Sequence, residues 1–284
     1  MNAKGLPEGA LGRFEREGYV VCPGLLAPSA CEALNAALSR IIERAGDEHA
    51  RGARADDFWR QMSRSAGAIE VFWMPPLPGE AAPAEPRFVE ARVMRVGHAL
   101  HLHDEAFAAA ARRSPITAAL AEILGAGARI VQSAVVYKQP MSDLVQFGFH
   151  QDAAYLTSEP PALALAFVAL DDADAENGAL MVAPGSHRLG LGERLRLGAA
   201  GFERDGGRAH RIDRARSVLL PMRRGDVALV HGLTYHASDP NRSARPRRAL
   251  IVHALGAGAR LLPSSWVEEP EEGFVPLTGE SALA

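Results

Sequence analysis

Residues 129–138 read Arg-Ile-Val-Gln-Ser-Ala-Val-Val-Tyr-Lys, and this stretch decides the fold class. β-Branched and aromatic residues crowd it, and such side chains suit a pleated, half-buried surface. Downstream the pattern repeats in short apolar runs: LALAFVAL at 163–170, ALMVA at 179–183, SVLLP at 217–221, DVALVH at 226–231 and RALIVHAL at 248–255. Turn signals separate them, among them Glu176-Asn177-Gly178, Pro184-Gly185-Ser186, Arg224-Gly225-Asp226 and Asp239-Pro240-Asn241. Several short strands punctuated this way predict an antiparallel sandwich or barrel, not a βαβ fold.

Upstream, helical spacing dominates. Ser29 followed by Glu32 is a capping-box pattern, and Cys31, Leu34, Leu38, Ile41 and Ile42 predict an amphipathic helix over 29–44. A short helix is expected over 56–66. Asp104 can cap another running to Arg112 or Arg113, and Ser114 with Pro115 opens one that Gly125 ends. Five prolines between Met74 and Pro86 predict a loop. Residues 188–216, rich in Arg and Gly with little periodicity, read as a long surface loop or lid. The expected organisation is one domain over 1–284, mainly β with flanking helices: a helical part over about 1–127 and a barrel core over about 128–256.

Composition narrows the function classes. The chain has 284 residues, 48% of them hydrophobic, which is enough for a sizeable core. A net charge of −3 leaves no footprint for nucleic acid. No apolar run reaches the ~18 residues of a membrane span, and the N-terminus is too polar for a secretory signal. Cys22 and Cys31 alone make neither a disulfide framework nor a Cys-based zinc site, so a cytoplasmic location is expected.

The ten histidines carry the chemical information. His150-Gln151-Asp152 would put an imidazole and a carboxylate on one face of a strand, because residues i and i+2 point the same way. One more histidine from a distant strand completes a two-His, one-carboxylate face with open positions, the ligand set of non-haem Fe(II) oxygenases. Two histidines compete for that place. Arg247 lies eleven residues after His236, and Arg242 lies eleven after His231, so spacing alone does not choose. His98, His101 and His103 also cluster, the last two on one face if extended, yet only Asp104 stands near as a carboxylate partner. His253 falls on the strand face of Arg247, where it can line the pocket, though a satisfied interior histidine is the plainer reading. His187, after its Pro-Gly-Ser turn, reads as a structural hydrogen-bonder, and Arg248 should face away from Arg247 towards solvent.

Taken in order, His150-Gln-Asp152, Glu176-Asn177-Gly178, Pro184-Gly185-Ser186-His187, Gly225-Asp226 and the His236-x-Ser238-x-x-Asn241-x-Ser243 run reaching Arg247 resemble the phytanoyl-CoA dioxygenase family. The likeness extends from about Gly18 to Trp266. The segment Val96–Asp104 and the Val131-Gln-Ser run further resemble its subgroup of phytanoyl-CoA dioxygenase domain-containing proteins, whose substrates are not acyl-CoA by default. The resemblance implies a double-stranded β-helix, that is, a jelly-roll, cupin-like barrel. It implies Fe(II) on His150, Asp152 and His236, preferring His236 over His231. It implies 2-oxoglutarate as co-substrate, its distal carboxylate gripped by Arg247 through two parallel hydrogen bonds and assisted by Ser238. Arg95 matches a basic co-substrate contact. Ala134 and Phe167 match co-substrate-lining positions where larger or different side chains are frequent, which leaves the pocket's shape open.

The expected activity is an Fe(II)- and 2-oxoglutarate-dependent dioxygenase that hydroxylates an unactivated C–H bond of a small molecule, using O2 and releasing succinate and CO2. Ascorbate is a candidate reductant. Asp152 stands where related halogenases carry a small residue, so hydroxylation, or a desaturation or cyclisation variant, is favoured over halogenation. The other classes are a non-catalytic cupin-like metal-binding protein and a zinc hydrolase; both leave Arg247 unexplained. The expected partners are a small-molecule substrate, with no nucleic acid and no membrane, and the expected state is a monomer or homodimer.

Overall fold

The apolar runs become strands, and the strands form two facing sheets. The computed structural model describes residues 6–50, 58–74, 90–112 and 114–277. Six helices are described: α1 (Ala10–Glu17), α2 (Pro28–Ala50), α3 (Phe58–Arg64), α4 (Leu100–His103), α5 (Glu105–Arg112) and α6 (Pro115–Leu124). Among them run β1 (Tyr19–Cys22), β2 (Ile69–Trp73) and β3 (Val93–His98). Then come β4 (Arg129–Lys138), β5 (Phe147–His150), β6 (Ser158–Glu159), β7 (Leu163–Ala169) and β8 (Leu180–Val182). A hairpin of β9 (Glu193–Gly198) and β10 (Gly201–Gly207) precedes β11 (Val218–Leu220), β12 (Val227–His231), β13 (His236–Ser238) and β14 (Arg247–Leu255). The short strands β15 (Arg260–Leu261) and β16 (Val275–Pro276) close the list.

The large sheet has the order β1-β12-β7-β14-β4-β3-β2, with β16 also on β4, and the small sheet the order β11-β8-β13-β5. Every pairing within them is antiparallel. Together they make a jelly roll, a mainly β fold with flanking helices. The pleat divides the work of the large sheet. One face of β4, β7 and β14 sends Val135, Ala166, Leu250 and Val252 into a core shared with Leu34, Leu38 and Ile41 of α2. Each fully buried Val, Leu or Ile of that kind contributes ~1.5–3 kcal/mol. The other face carries Gln132, Ala134, Phe167, Ile251 and His253 towards the small sheet.

Several expectations need correction. The N-terminal part is not purely helical, since β1, β2 and β3 join the large sheet. Helix α2 begins at Pro28, whose fixed φ suits a first turn, so Ser29 lies inside the helix and does not cap it. Residues 188–216 are not a structureless loop; β9 and β10 pair there, braced by Arg196–Glu203 and Arg204–Glu193 ion pairs. His101 and His103 lie on the short helix α4 and share no strand face. Arg248 does not run free to solvent, because Asp171 holds it through two hydrogen bonds.

Other expectations hold. Ser114 caps α6 in a capping box with Thr117, Pro115 opens the helix, and Gly125 ends it. Asp104 accepts from the backbone N–H groups of Ala106 and Phe107. The proline-rich loop beyond Met74, residues 56–57 of the expected short helix, and Arg113 lie outside the described residues. Among the described residues no helix is long and apolar enough to cross a membrane.

Candidate metal and co-substrate site

His150 ends β5 and His236 begins β13, and the two are direct partners across the small sheet. Their rings stand 4.2 Å apart between centroids. Each imidazole is oriented by the carbonyl two residues before it: Nδ1 of His150 donates to Gly148 (2.8 Å) and Nδ1 of His236 to Thr234 (3.1 Å). That arrangement puts the proton on Nδ1 and frees both Nε2 lone pairs, the usual preparation of a metal-binding histidine. Asp152 does not arrive by strand alternation. The strand stops at His150, and a 3-10 turn at Asp152–Ala154 swings the carboxylate back. Asp152 Oδ1 then lies 3.7 Å from each Nε2. That gap is too long for a hydrogen bond and wide enough for a cation. The three ligand atoms lie within 4.8 Å of one another.

The electrostatics favour a cation. Burial, with His236 alongside, brings the His150 imidazole down to about 4, so it is neutral at pH 7 as a ligand must be. Burial alone would raise the Asp152 carboxyl, but His236 and His253 beside it hold it well below the usual carboxylate range. His253 Nε2 lies 3.0 Å from Asp152 Oδ2, close but poorly aligned, and its Nδ1 meets the Gln132 amide at 2.9 Å.

Arg247 starts β14 and is 2% exposed. One Nη2–H donates to the Gly178 carbonyl (3.0 Å), while Nε and Nη1 have no partner. The guanidinium stands over the Phe167 ring, 5.5 Å from its centre. Burial lowers it to about 10, which leaves it charged. A buried cation with two unused donors is costly unless an anion completes it. The turn predicted at Glu176-Asn177-Gly178 therefore has a task, because it presents the carbonyl that aims Arg247. Gly178 has φ 80°, and a Cβ there would meet Asp239 O at 2.3 Å.

A single cavity of about 360 Å³ joins these groups. Ser238, Ala134, Phe167 and Arg95 all line it, with Arg247 and the His150-Asp152-His236 group. His253 also lines it, the alternative that its place on the strand face of Arg247 had left open. The rival histidines fall elsewhere. His231 packs on Phe14 and His187, and its Nδ1 accepts from Leu233 N. His187 bonds the Glu15 carbonyl, the structural role expected of it. His101 bonds Ser133 and His103 the Gly67 carbonyl, and among the described residues they join no group of metal-ligating side chains. Sequence reasoning missed the aromatic wall of Trp59, Phe72, Tyr155, Phe202 and Trp266. Of these, only Tyr155, three residues past Asp152, lay within local reach of a recognised motif.

Two imidazoles, a carboxylate and an under-satisfied guanidinium around one jelly-roll cavity define the class of iron- and 2-oxoglutarate-dependent oxygenases. The family model of phytanoyl-CoA dioxygenase (PhyH) matches residues 14–249, and the chain belongs to that family. The chain is 30% identical over 303 residues to phytanoyl-CoA dioxygenase domain-containing protein 1 of Bos taurus, covering 94% of this chain and 97% of that one. It is 37% identical to the Mus musculus protein of that name over 200 residues, 66% of each chain. Among solved structures, the epimerase SnoN in complex with Fe3+, alpha ketoglutarate and nogalamycin RO aligns with a TM-score of 0.64 at 21% identity, over 96% of both chains. The protein is an oxygenase of this class, with iron as cofactor and 2-oxoglutarate as co-substrate.

Proposed function

We propose that the protein hydroxylates a C–H bond of a small-molecule substrate, consuming O2 and 2-oxoglutarate and releasing succinate and CO2. In this reading His150, Asp152 and His236 hold the iron, and Arg247 with Ser238 holds the distal carboxylate of 2-oxoglutarate. The observation that carries it is Arg247, buried to 2% with Nε and Nη1 unpaired in the cavity that holds the triad. Bound there, iron and 2-oxoglutarate supply the oxidising power that oxygen insertion requires.

The chain's own residues supply placement. Gly148 and Thr234 fix the two imidazoles, and Gly178 aims the guanidinium. The aromatic wall keeps bulk water away from the reacting carbon. A carboxylate at position 152 occupies the place a halide would need, which supports hydroxylation over halogenation. The two sheets and their helical cover draw on strands from β1 to β16, which supports one catalytic domain.

The test is succinate formation from 2-oxoglutarate under 18O2, with and without iron. The reading expects iron-dependent succinate, and one 18O atom in the product of a substrate that stimulates it. Since one protein of this fold is an epimerase, a stimulating substrate that gains no 18O would move the assignment to hydrogen removal without oxygen insertion. Failure to turn over 2-oxoglutarate would leave only a binding protein.

A further inference from the structure

Gln132 lines the cavity from β4 and is 7% exposed. Its direct partner across the sheet is His253 on β14, and Leu165 on β7 lies beyond His253. The next positions on this inner face are Ala134 and Ile251, themselves partners. Gln132 is thus an amide among aliphatic neighbours, and each half of a buried amide needs a hydrogen-bond partner.

The metal site decides which way that amide points. His253 Nε2 lies 3.0 Å from Asp152 Oδ2. Two lone pairs would repel at that distance, so the imidazole carries its proton on Nε2. Nδ1 then presents a lone pair, and the Gln132 side-chain N–H donates to it at 2.9 Å. The reversed amide would set Oε1 against the same lone pair. Asp152 therefore fixes His253, and His253 fixes Gln132. What remains is Gln132 Oε1, a buried acceptor without a partner.

The other polar groups of the cavity already have a use. Arg247 and Asp152 serve co-substrate and iron in the reading above, and Arg95 matches a co-substrate contact. Among the described residues no further Arg, Lys, Asp or Glu lines the cavity. His98 is engaged at both nitrogens, with Arg95 (2.9 Å) and Ser65 (2.7 Å). 2-Oxoglutarate is a dianion at neutral pH with no N–H or O–H to give, so it does not complete an acceptor. A water there needs about two to four polar partners, and the side chains of Ala134, Ile251 and Leu165 offer none. The donor that Oε1 lacks has to come from another ligand of the cavity.

Resting on the function proposed above, we propose that Gln132 is a specificity-determining residue: its Oε1 accepts a hydrogen bond from a hydroxyl or N–H group of the substrate, a small uncharged molecule whose apolar body lies against Tyr155, Phe202 and Trp266. Those rings make an aromatic wall, Tyr155 meeting Phe202 edge-on at 4.7 Å and Trp266 meeting His98 edge-on at 4.8 Å. No charged side chain is left to pair a charged substrate. The cavity, about 360 Å³, is at the small end of ligand pockets (~300–1,000 Å³) and must also hold 2-oxoglutarate, so the body is small. An acceptor anchored through His253 on a metal ligand holds the substrate's polar end in register with the iron.

The experiment uses the anaerobic enzyme loaded with Fe(II) and 2-oxoglutarate, titrated calorimetrically with arylalkyl and straight-chain alcohols of about six to twelve carbons and with their methyl ethers, which accept but do not donate. Alcohols are expected to bind at least about tenfold tighter than their ethers, because an ether leaves Oε1 buried and unpaired. In Gln132→Met that preference falls below about threefold. Both members of a pair are titrated into one loaded preparation, so a change in iron affinity cancels from the ratio. Gln132→Asn keeps an amide but draws it back by a methylene; it should lose the preference too, and it decides the matter if Gln132→Met does not fold. Alcohols and ethers binding the wild type alike, or no alcohol of the series binding, overturns the proposal. So does a preference that survives in the Gln132 variants. Iron and 2-oxoglutarate binding are measured first in the same samples, so failure there strikes the underlying function and not the choice of substrate.

Discussion

At the residue scale, four side chains carry the account, and each has a job set by its chemistry. A ligand carboxylate cannot be replaced by a methyl group. Asp152→Ala is therefore expected to lower iron affinity by well over tenfold, since removing even a supporting partner costs that much. His231→Ala should bind iron as the wild type does, because His231 packs on Phe14 and His187 away from the cavity. Iron content after anaerobic loading and desalting checks both, and the reverse outcome would exchange the ligand assignment. Arg247→Met removes two charge-assisted hydrogen bonds and should raise the 2-oxoglutarate concentration needed for half-saturation by roughly 10–100-fold. Unchanged saturation would move the co-substrate to another cation. These four residues were legible because metal and carboxylate chemistry fix residue type at short spacing. The route of Asp152 into the site was not, since a 3-10 turn and a strand both bring i+2 near i. Arg95 and His98 were each named from the sequence, but the bond between them was not legible for a related reason: it forms three residues apart at the end of β3, a spacing that marks no motif on a strand.

At the element scale, the site depends on how β4, β13 and the chain before β5 are locked together. Lys138, 1% exposed, does this by donating to the carbonyls of Val145 (2.5 Å) and Asp239 (2.7 Å). Burial, and then Arg247 alongside, lowers its ammonium to about 7. Lys138→Met keeps the apolar stem and strands those carbonyls, so it should cost about 1–3 kcal/mol and lower Tm by several degrees. A variant melting like the wild type would show that the clamp contributes nothing. The long strands β4, β7 and β14 were legible because their apolar runs are buried on both faces. The β9–β10 hairpin was not. Cross-strand ion pairs and Phe202 hold it in place of a regular apolar alternation, so in sequence it resembles a solvated Arg- and Gly-rich loop.

At the scale of the whole molecule, the jelly roll is stabilised from outside by helices and left open inside for ligands. The outer face of the large sheet is packed against α2, α5 and α6 side chains, whereas the inner face retains a cavity with unpaired polar atoms. Ligands that complete those atoms bind the folded state alone and must stabilise it. Iron with 2-oxoglutarate at about 100 times its dissociation constant should add about 2.7 kcal/mol, a rise of several degrees in Tm. The increment should fall to about 0.4–1.4 kcal/mol in Arg247→Met at the same co-substrate concentration, given its 10–100-fold weaker binding; an equal shift there would place the ligand elsewhere. The order of helices before strands was only partly legible, because β1, with four residues, is too short to stand out among helical patterns.

The most direct test is an anomalous difference map at the iron edge from crystals soaked without oxygen in ferrous iron and 2-oxoglutarate. The account predicts one peak about 2 Å from His150 Nε2, Asp152 Oδ1 and His236 Nε2, the usual length for nitrogen and oxygen ligands of such ions, with the distal carboxylate of 2-oxoglutarate on Arg247. A peak among His98, His101 and His103, or co-substrate density that avoids Arg247, would contradict it.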